Sequence, residues 1–414
     1  MLYNIYMIIR ENVKLSELTT MRLGGPADFL IEIEDPNECA EAFEFAEEKN
    51  LPVYFLGLGA NTIALDSGFP GVIIKNNIKG FKILEESSAD SPKNSPRTSS
   101  KSSDKQSPSK ASKYPPETLL IEVGGGEIWD DFVEFVTKKG FSGVEAMSKI
   151  PGTVAAAPVQ NIGAYGQEVS QTLVSVEAFD SLLDEYVEIP ASEMDFAYRH
   201  SIFNSGETAG RYFILTCTFR LEKKNPEPPF YNSLQSYLDA HKITSFTPEV
   251  IRHAVSEIRA EKLPDPAEIP SAGSFFKNIY LDKSSARLAE EKGIPVRKTE
   301  KTDKSGKSFI EYKVNTGWLL ENAGLKGKLF HGFRVSDKAA LILINESASS
   351  ENDLELAKQE ISAAVREKFG LTLEQEPVFI KPHTEETSEN PETTSEKKSS
   401  EPNKISKNSS ERNS

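Results

Sequence analysis

Four segments hold residues whose types and spacing could do chemistry. Gly57-Leu58-Gly59-Ala60-Asn61 is a glycine loop between two strand-like runs, residues 53–56 and 72–75. Asp66, Gly68, Pro70 and Gly71 follow it, leaving no room for the helix of a Rossmann unit. The loop is therefore strand–loop–strand, and it reads either as a plain turn or as a phosphate cradle of backbone amides. The second segment, residues 150–166 (IPGTVAAAPVQNIGAYG), is dominated by small side chains and broken by Pro and Gly. Small residues let backbone approach a large flat ligand and present amides to it; the plainer alternative is a tightly packed turn region. The third is Tyr198-Arg199-His200-Ser201 and the fourth Gly273-Ser274-Phe275-Phe276-Lys277-Asn278. Taken alone, Arg199 reads as half of a structural ion pair and Ser274 as a turn residue. The five histidines show no metal-ligand spacing.

Regular elements must position these segments. A helix over 36–50 opens after Asp35, a capping residue. A strand over 119–123 leads through Gly124-Gly125-Gly126 into a helix over 127–139, with Ile128, Trp129, Phe132, Phe135 and Val136 at helical spacing. Strand patterns return at 173–179, 212–221 and 341–344. Residues 249–260 place Val250, Ile251, Ala254, Val255 and Ile258 on one helical face, and 353–369 is a second amphipathic helix. Residues 298–307 read as a charged loop whose cations face solvent.

Two stretches cannot belong to a core. Residues 87–113 hold 11 Ser and 3 Pro, and the tail 383–414 has one large aliphatic, Ile405. Neither buries enough apolar surface to offset its chain entropy, so both are expected to be disordered. The rest of the 414 residues is ample for a sizeable core. The net charge of −15 becomes more negative once the insertion, with 6 basic and 2 acidic residues, is set aside. Such a surface repels polyphosphate, which argues against nucleic-acid binding. Cys39 and Cys217 form no CxxC pair, so a reducing compartment is the simpler reading. No apolar run approaches the roughly 18 residues of a membrane span. The start, residues 1–10, lacks a basic n-region and a cleavage site, so no signal peptide is expected. The expectation is a soluble cytoplasmic protein.

Taken together, the segments resemble the UDP-N-acetylenolpyruvoylglucosamine reductase (UDP-N-acetylmuramate dehydrogenase) family. The matching stretches are Thr19-Thr20-Met21-Arg22-Leu23-Gly24-Gly25-Pro26-Ala27, residues 56–75, 150–166 and 198–203, Lys262-Leu263-Pro264-Asp265-Pro266, and residues 272–278 and 317–327, in family order. The resemblance runs from about residue 18 to 380, interrupted by the Ser-rich insertion. It implies an α+β chain: a two-subdomain FAD-binding fold of the vanillyl-alcohol-oxidase (PCMH) type, with a C-terminal α+β substrate-binding domain. The implied boundaries are 11–76 and 77–222 for the flavin subdomains, 223–381 for the substrate domain and 382–414 for a disordered tail. FAD contacts would come from Gly57, Leu58, Gly59, Ala60, Asn61 and Thr62 and from Gly152, Thr153, Asn161, Gly163 and Ala164. One departure follows the PGTV turn, where the family has at least one glycine and this chain has Ala155 and Ala156.

The implied reaction reduces an enolpyruvyl ether, in UDP-N-acetyl-enolpyruvoylglucosamine, to the lactyl ether of UDP-N-acetylmuramate. NADPH is the reductant, acting through FAD, in peptidoglycan precursor synthesis. Hydride addition to the vinyl carbon leaves negative charge beside the carboxylate. Something cationic must hold that group, and something must protonate the neighbouring carbon. Arg199 suits the first task, because its planar charged fork matches a carboxylate. Ser274 matches the family's proton donor. Glu376 matches the C-terminal catalytic carboxylate, with Glu374 as the competing assignment and Pro377 a departure beside it. Lys262 and Asn278 match the substrate diphosphate contacts, and Tyr231 a tyrosine on the substrate loop. Ala339 stands where a polar substrate contact is expected. No metal, nucleic acid or membrane span is implied, and the enzyme is expected to be a monomer. Two rivals remain: another oxidase of the same flavin fold, which has no reason to keep Lys262, Ser274 and Asn278 together, and a non-catalytic flavin-binding protein.

Overall fold

The structure is a computed structural model that describes residues 7–87, 117–302 and 306–381. Residues 1–6, the insertion beyond Ser87 and the tail 383–414 lie outside the described residues, and so do the sequence expectations for them. The chain divides into two compact units. The first comprises Met1–Ile8, Glu32–Phe45 and Ile74–Arg259; the second comprises Ile9–Ile31, Ala46–Ile73 and Ala260–Ser414.

In the first unit a five-stranded antiparallel sheet runs in the order Glu185–Pro190, Leu173–Asp180, Tyr212–Glu222, Thr118–Gly124, Phe81–Ser87. Leu119, Ile121 and Val123 alternate into the core, as a half-buried strand requires. The central strand Tyr212–Glu222 is buried at nearly every position, so it reads as a continuous apolar run. Helix Trp129–Lys138 contributes Trp129, Phe132, Val133 and Val136 to the same core, with Phe132 4.6 Å from the Phe219 ring. A smaller core joins helix Asn232–Ala240 to helix Pro248–Lys262 through Leu234, Leu238, Ile251, Ala254, Val255 and Ile258. Of the apolar face read from the sequence, Ile251, Ala254, Val255 and Ile258 are buried and Val250 is half-buried.

The same helix carries a buried cation. Arg252, on the buried side, makes a two-pronged ion pair with Asp130, at 2.6 and 3.0 Å. Asp130 also accepts from the Lys149 amide at 2.7 Å and pairs with its ammonium at 2.8 Å. Burial alone would raise the Asp130 carboxyl. The Arg252 and Lys149 hydrogen bonds outweigh it and hold the group well below the usual carboxylate range.

In the second unit, the C-terminal part has a sheet in the order Ser271–Ser274, Ile342–Asn345, Phe333–Val335, Leu329–Phe330. Helix Glu351–Phe369 buries Leu354, Ala357, Ile361, Val365 and Phe369, spaced by three and four residues. A Ser350/Asp353 capping box starts it, and Gly370, with φ +72°, ends it. A separate three-stranded sheet runs Ile279–Leu281, Ser308–Val314, Val296–Thr302. Residues 298–302 of the charged loop expected at 298–307 are therefore strand, while their cations are exposed as expected. Lys298 and Lys301 lie on a strand and pair with Glu290 and Glu311, at 2.9 and 3.2 Å. Strand Val296–Thr302 carries polar residues on both faces, so it lacks the apolar alternation by which strands are recognised. Among the described residues, no helix is long and apolar enough to cross a membrane.

Candidate active site

The residues singled out by sequence divide between the two units. In the second unit, segments far apart in the chain are tied backbone to backbone. The Thr20 amide and hydroxyl donate to the Gly59 carbonyl at 3.1 and 3.3 Å, and the hydroxyl also donates to the Ser271 carbonyl at 2.6 Å. Strand Thr62–Ile63 pairs in parallel with Val378–Phe379, and the Val378 amide donates to Asn61 O at 3.0 Å. The Glu376 amide donates to Phe275 O at 2.9 Å, next to Ser274. The glycine loop, the Ser274 strand and the Glu376 segment therefore converge.

The local conformations fit this convergence. Gly59 sits at φ +64°, and a Cβ there would lie 2.3 Å from Leu18 O, so no other residue fits. The amides of Gly57, Leu58, Gly59 and Ala60 donate no hydrogen bond among the described residues, although Gly59 is buried. Buried amides are rarely left so. A row of them suits the pyrophosphate of FAD. The Thr62 side chain bonds the Tyr54 phenol, which burial pushes up to about 12 against that bond.

Gly273, at φ +67°, makes a bulge that interrupts the register before Ser274. Ser274 is half-buried, and its hydroxyl makes no hydrogen bond among the described residues. The two candidate carboxylates differ. Glu374 is exposed, and its side chain pairs with Lys277 at 2.5 Å; Glu376 is half-buried and adjacent to the Ser274 strand. The Asn278 side-chain oxygen accepts from the Thr316 amide at 3.2 Å, at the start of helix Thr316–Asn322. Lys262 ends its helix and is exposed. Ala339 lies in the turn before Ile342–Asn345, where its carbonyl accepts from the Ile342 amide.

In the first unit, the small-residue segment forms a turn, a short helix Ala156–Val159 and the Gly163–Ala164 strand. The amides of Gly152 and Thr153 donate no hydrogen bond among the described residues, and the space beside Gly152, at φ +148°, is open. Asn161 is buried, and its side chain fastens the loop to Ala197 O, Glu168 and the Ser170 amide at 3.1 Å each. Ala155 replaces a glycine without a clash because Gly125 faces it. A Cβ on Gly125 would come within 2.9 Å of the Ala155 methyl carbon. Arg199, at φ +55°, directs a guanidinium nitrogen to Gly163 O at 3.3 Å. The Tyr231 ring meets Tyr165 edge-on, with centroids 5.9 Å apart. Sequence reasoning missed Arg259, whose guanidinium bonds the Tyr165 phenol. Its signal was present: it follows Arg252 by seven positions, two turns along the helix.

Comparison with known proteins bears on this arrangement. Residues 265–380 match the family model described as UDP-N-acetylenolpyruvoylglucosamine reductase, C-terminal domain, and residues 108–182 match an FAD binding domain. The reductase of that name from Bdellovibrio bacteriovorus is 33% identical over 90% of this chain and 99% of its own length. The chain belongs to the UDP-N-acetylenolpyruvoylglucosamine reductase family. The Dechloromonas aromatica reductase is also 33% identical, over 89% of this chain and 98% of its own. The crystal structure of the Thermus caldophilus reductase aligns with a TM-score of 0.54 at 20% identity, covering 90% of this chain and all of that one. This reductase is thus an FAD-dependent oxidoreductase using NADPH. Its fold is the vanillyl-alcohol-oxidase-type flavin fold with a C-terminal α+β domain, as the sequence implied.

Proposed function

We propose that Arg199, Ser274 and Glu376 carry the chemistry by which this reductase converts UDP-N-acetyl-enolpyruvoylglucosamine to UDP-N-acetylmuramate. Bound FAD supplies the two-electron step between NADPH and the vinyl group. The chain's own residues do the rest. Arg199 offers a charged fork to the substrate carboxylate and so stabilises the charge that develops beside it. Ser274 delivers a proton to the neighbouring carbon, a task for which its hydroxyl is not otherwise committed. Glu376 bears on the same carboxyl group. The observation that carries the assignment is the 2.9 Å bond from the Glu376 amide to Phe275 O, which sets Glu376 beside the Ser274 strand while Glu374 is held by Lys277.

Gly57, Leu58, Gly59, Ala60, Asn61 and Thr62 with Gly152, Thr153, Asn161, Gly163 and Ala164 would hold the FAD phosphates and ring, the amides of Gly57, Leu58, Gly59, Ala60, Gly152 and Thr153 having no other acceptor among the described residues. Lys262, Asn278 and Tyr231 would hold the UDP-sugar. The division into flavin subdomains 11–76 and 77–222 and substrate domain 223–381 belongs to this proposal. So do a cytoplasmic location, a reading supported by two free, buried thiols, and a monomeric state. Anaerobic addition of NADPH, then of the enolpyruvyl substrate, tests the function through flavin absorbance. Bleaching followed by reoxidation is expected. A reduced flavin that the substrate leaves unchanged would overturn it.

A further inference from the structure

Glu145 is a buried carboxylate to which the proposed chemistry gives no task. It is 2% exposed, and the groups bonded to it are neutral. One oxygen accepts from the Gly143 amide at 2.6 Å and the other from the Gln167 side-chain nitrogen at 2.9 Å. Among the described residues no cation pairs with it. A buried charge without a counter-ion is costly, and an apolar side chain would fill the same space at less expense. The two bonds therefore point to a role beyond packing.

They join a fixed turn to a hairpin that cannot fix itself. The turn Glu145–Met147 is anchored in the core of the first unit, where the buried Trp129 donates its indole N–H to Met147 O at 3.0 Å. Gln167 lies in the hairpin that pairs Gly163 with Glu168 and Ala164 with Gln167. Tyr165 and Gly166 form its two-residue tip, at φ +48° and +93°. Strands this short have little stability of their own. Asn161 holds the base of the hairpin through Glu168 at 3.1 Å. Gln167 holds the end beside the tip, because its side-chain oxygen accepts from the Ala146 amide at 2.7 Å while its nitrogen donates to Glu145. On the opposite strand, Gly163 O receives the Arg199 guanidinium at 3.3 Å.

We propose that Glu145 and Gln167 are positioning residues for Arg199. Through the hairpin they fix the carbonyl on which the guanidinium rests, and so the direction in which its charged fork meets an oxyanion. The inference rests on the proposed function, in which that oxyanion is the enolpyruvyl carboxylate. The pattern of donors and acceptors dictates the residue types. Both Glu145 oxygens accept, so Glu145→Gln sets an N–H against another donor, and Gln167→Glu sets one carboxylate against another. Making both changes restores all three bonds, with the direction of the bond between the two side chains reversed and the charge unchanged.

The test uses the FAD-loaded, oxidised full chain and two ligands: the enolpyruvyl UDP-sugar, and UDP-N-acetylglucosamine, which lacks the enolpyruvyl carboxylate. The ratio of the two affinities reads the contact between Arg199 and the carboxylate. A merely structural role would weaken both ligands alike and leave the ratio unmoved. A hydrogen bond to a charged group is worth about 10- to 100-fold in an equilibrium constant. Arg199→Met should therefore lower the ratio about 100-fold, and Glu145→Gln and Gln167→Glu about 10-fold each. The double variant should return it to within about threefold of wild type. A ratio within about twofold of wild type in either single variant would overturn the inference, and so would a folded double variant whose ratio stays as low as theirs. Should the single variants fail to fold, Gln167→Ala decides: the position is half-buried, water can take the place of the amide, and the same loss of about 10-fold is expected. If Arg199→Met keeps the wild-type ratio, the role given to Arg199 in the proposed function fails and this inference falls with it. If Arg199→Met alone lowers the ratio, only this inference fails.

Discussion

Ser274→Ala separates two halves of one catalytic cycle. Reduction of the flavin by NADPH requires no proton for a substrate carbon, whereas reduction of the enolpyruvyl group does. The structure sets the cost of the change to the protein itself. The Ser274 hydroxyl makes no hydrogen bond among the described residues and is half-buried, so its loss strands no partner. Stability should move by no more than about 0.5 kcal/mol. The bulge at Gly273 that presents position 274 is a backbone feature and survives. The variant should therefore be yellow, folded and bleached by NADPH at nearly the normal rate. Reoxidation by substrate should slow by about 10²–10⁴-fold, the usual worth of a positioned acid. Ser274→Cys should recover part of that rate, since a thiol is a stronger acid of similar reach. Rapid-mixing absorbance resolves the two half-reactions. Equal slowing of both, or slowing of neither, would refute Ser274 as proton donor.

Three further outcomes follow from the same structure. Glu376→Gln should slow flavin reoxidation by substrate at least 100-fold, while Glu374→Gln, which loses only an exposed pair with Lys277, should stay within about threefold of wild type in the same assay. Arg252→Met should leave Asp130 buried without its main partner and cost on the order of 3 kcal/mol or more in denaturant unfolding. Because the Asp130 carboxyl is depressed in the folded protein, the stability it contributes is present above the unfolded value near ~4 and lost as pH falls through the folded value; the variant's deficit should shrink in that acid range. Ser87 pairs with Thr118 across adjacent antiparallel strands, so a short Gly/Ser turn in place of residues 88–116 should close the hairpin with little change in melting temperature or turnover.

Periodicity located most of the elements that frame the site. The helix read at 36–50 is Glu38–Glu48, and the one read at 353–369 is Glu351–Phe369. The absence of a helix between Asn61 and Gly71 was legible from its breakers and holds. Strand Val296–Thr302 was not legible, because charged residues on both of its faces erase the alternation. Nor were the outer strands Phe81–Ser87 and Glu185–Pro190, half exposed at the sheet's two edges. The functional residues were named by resemblance rather than by pattern. Nothing in the composition around Ser274 or Glu376 distinguishes them from turn and surface residues. Only the pairing of segments that lie 100 residues apart on the chain makes Glu376 a better candidate than Glu374.

The features that pattern reading could not supply share a physical character: each breaks a rule that ordinary folding obeys. Arg199, Tyr165 and Asn161 hold left-handed backbone although none is glycine. Gly59 is buried with an amide that donates to nothing among the described residues, and Arg259 keeps an unused buried donor. Each such violation costs on the order of 1–3 kcal/mol and persists only where the surroundings impose it. Left-handed non-glycine backbone also occurs at Lys149, Asp184, Asp195 and Lys242 of the first unit, so it marks no site by itself. What sets the Asn161–Tyr165 stretch apart is the two arginines bound to it, and what sets Gly59 apart is its place on the loop joined to the Ser274 and Glu376 segments. On the proposed function, these are positions where a ligand's phosphates, ring or carboxylate would restore the stability given up. Ligand binding should accordingly stabilise this protein more than its contact area alone would suggest.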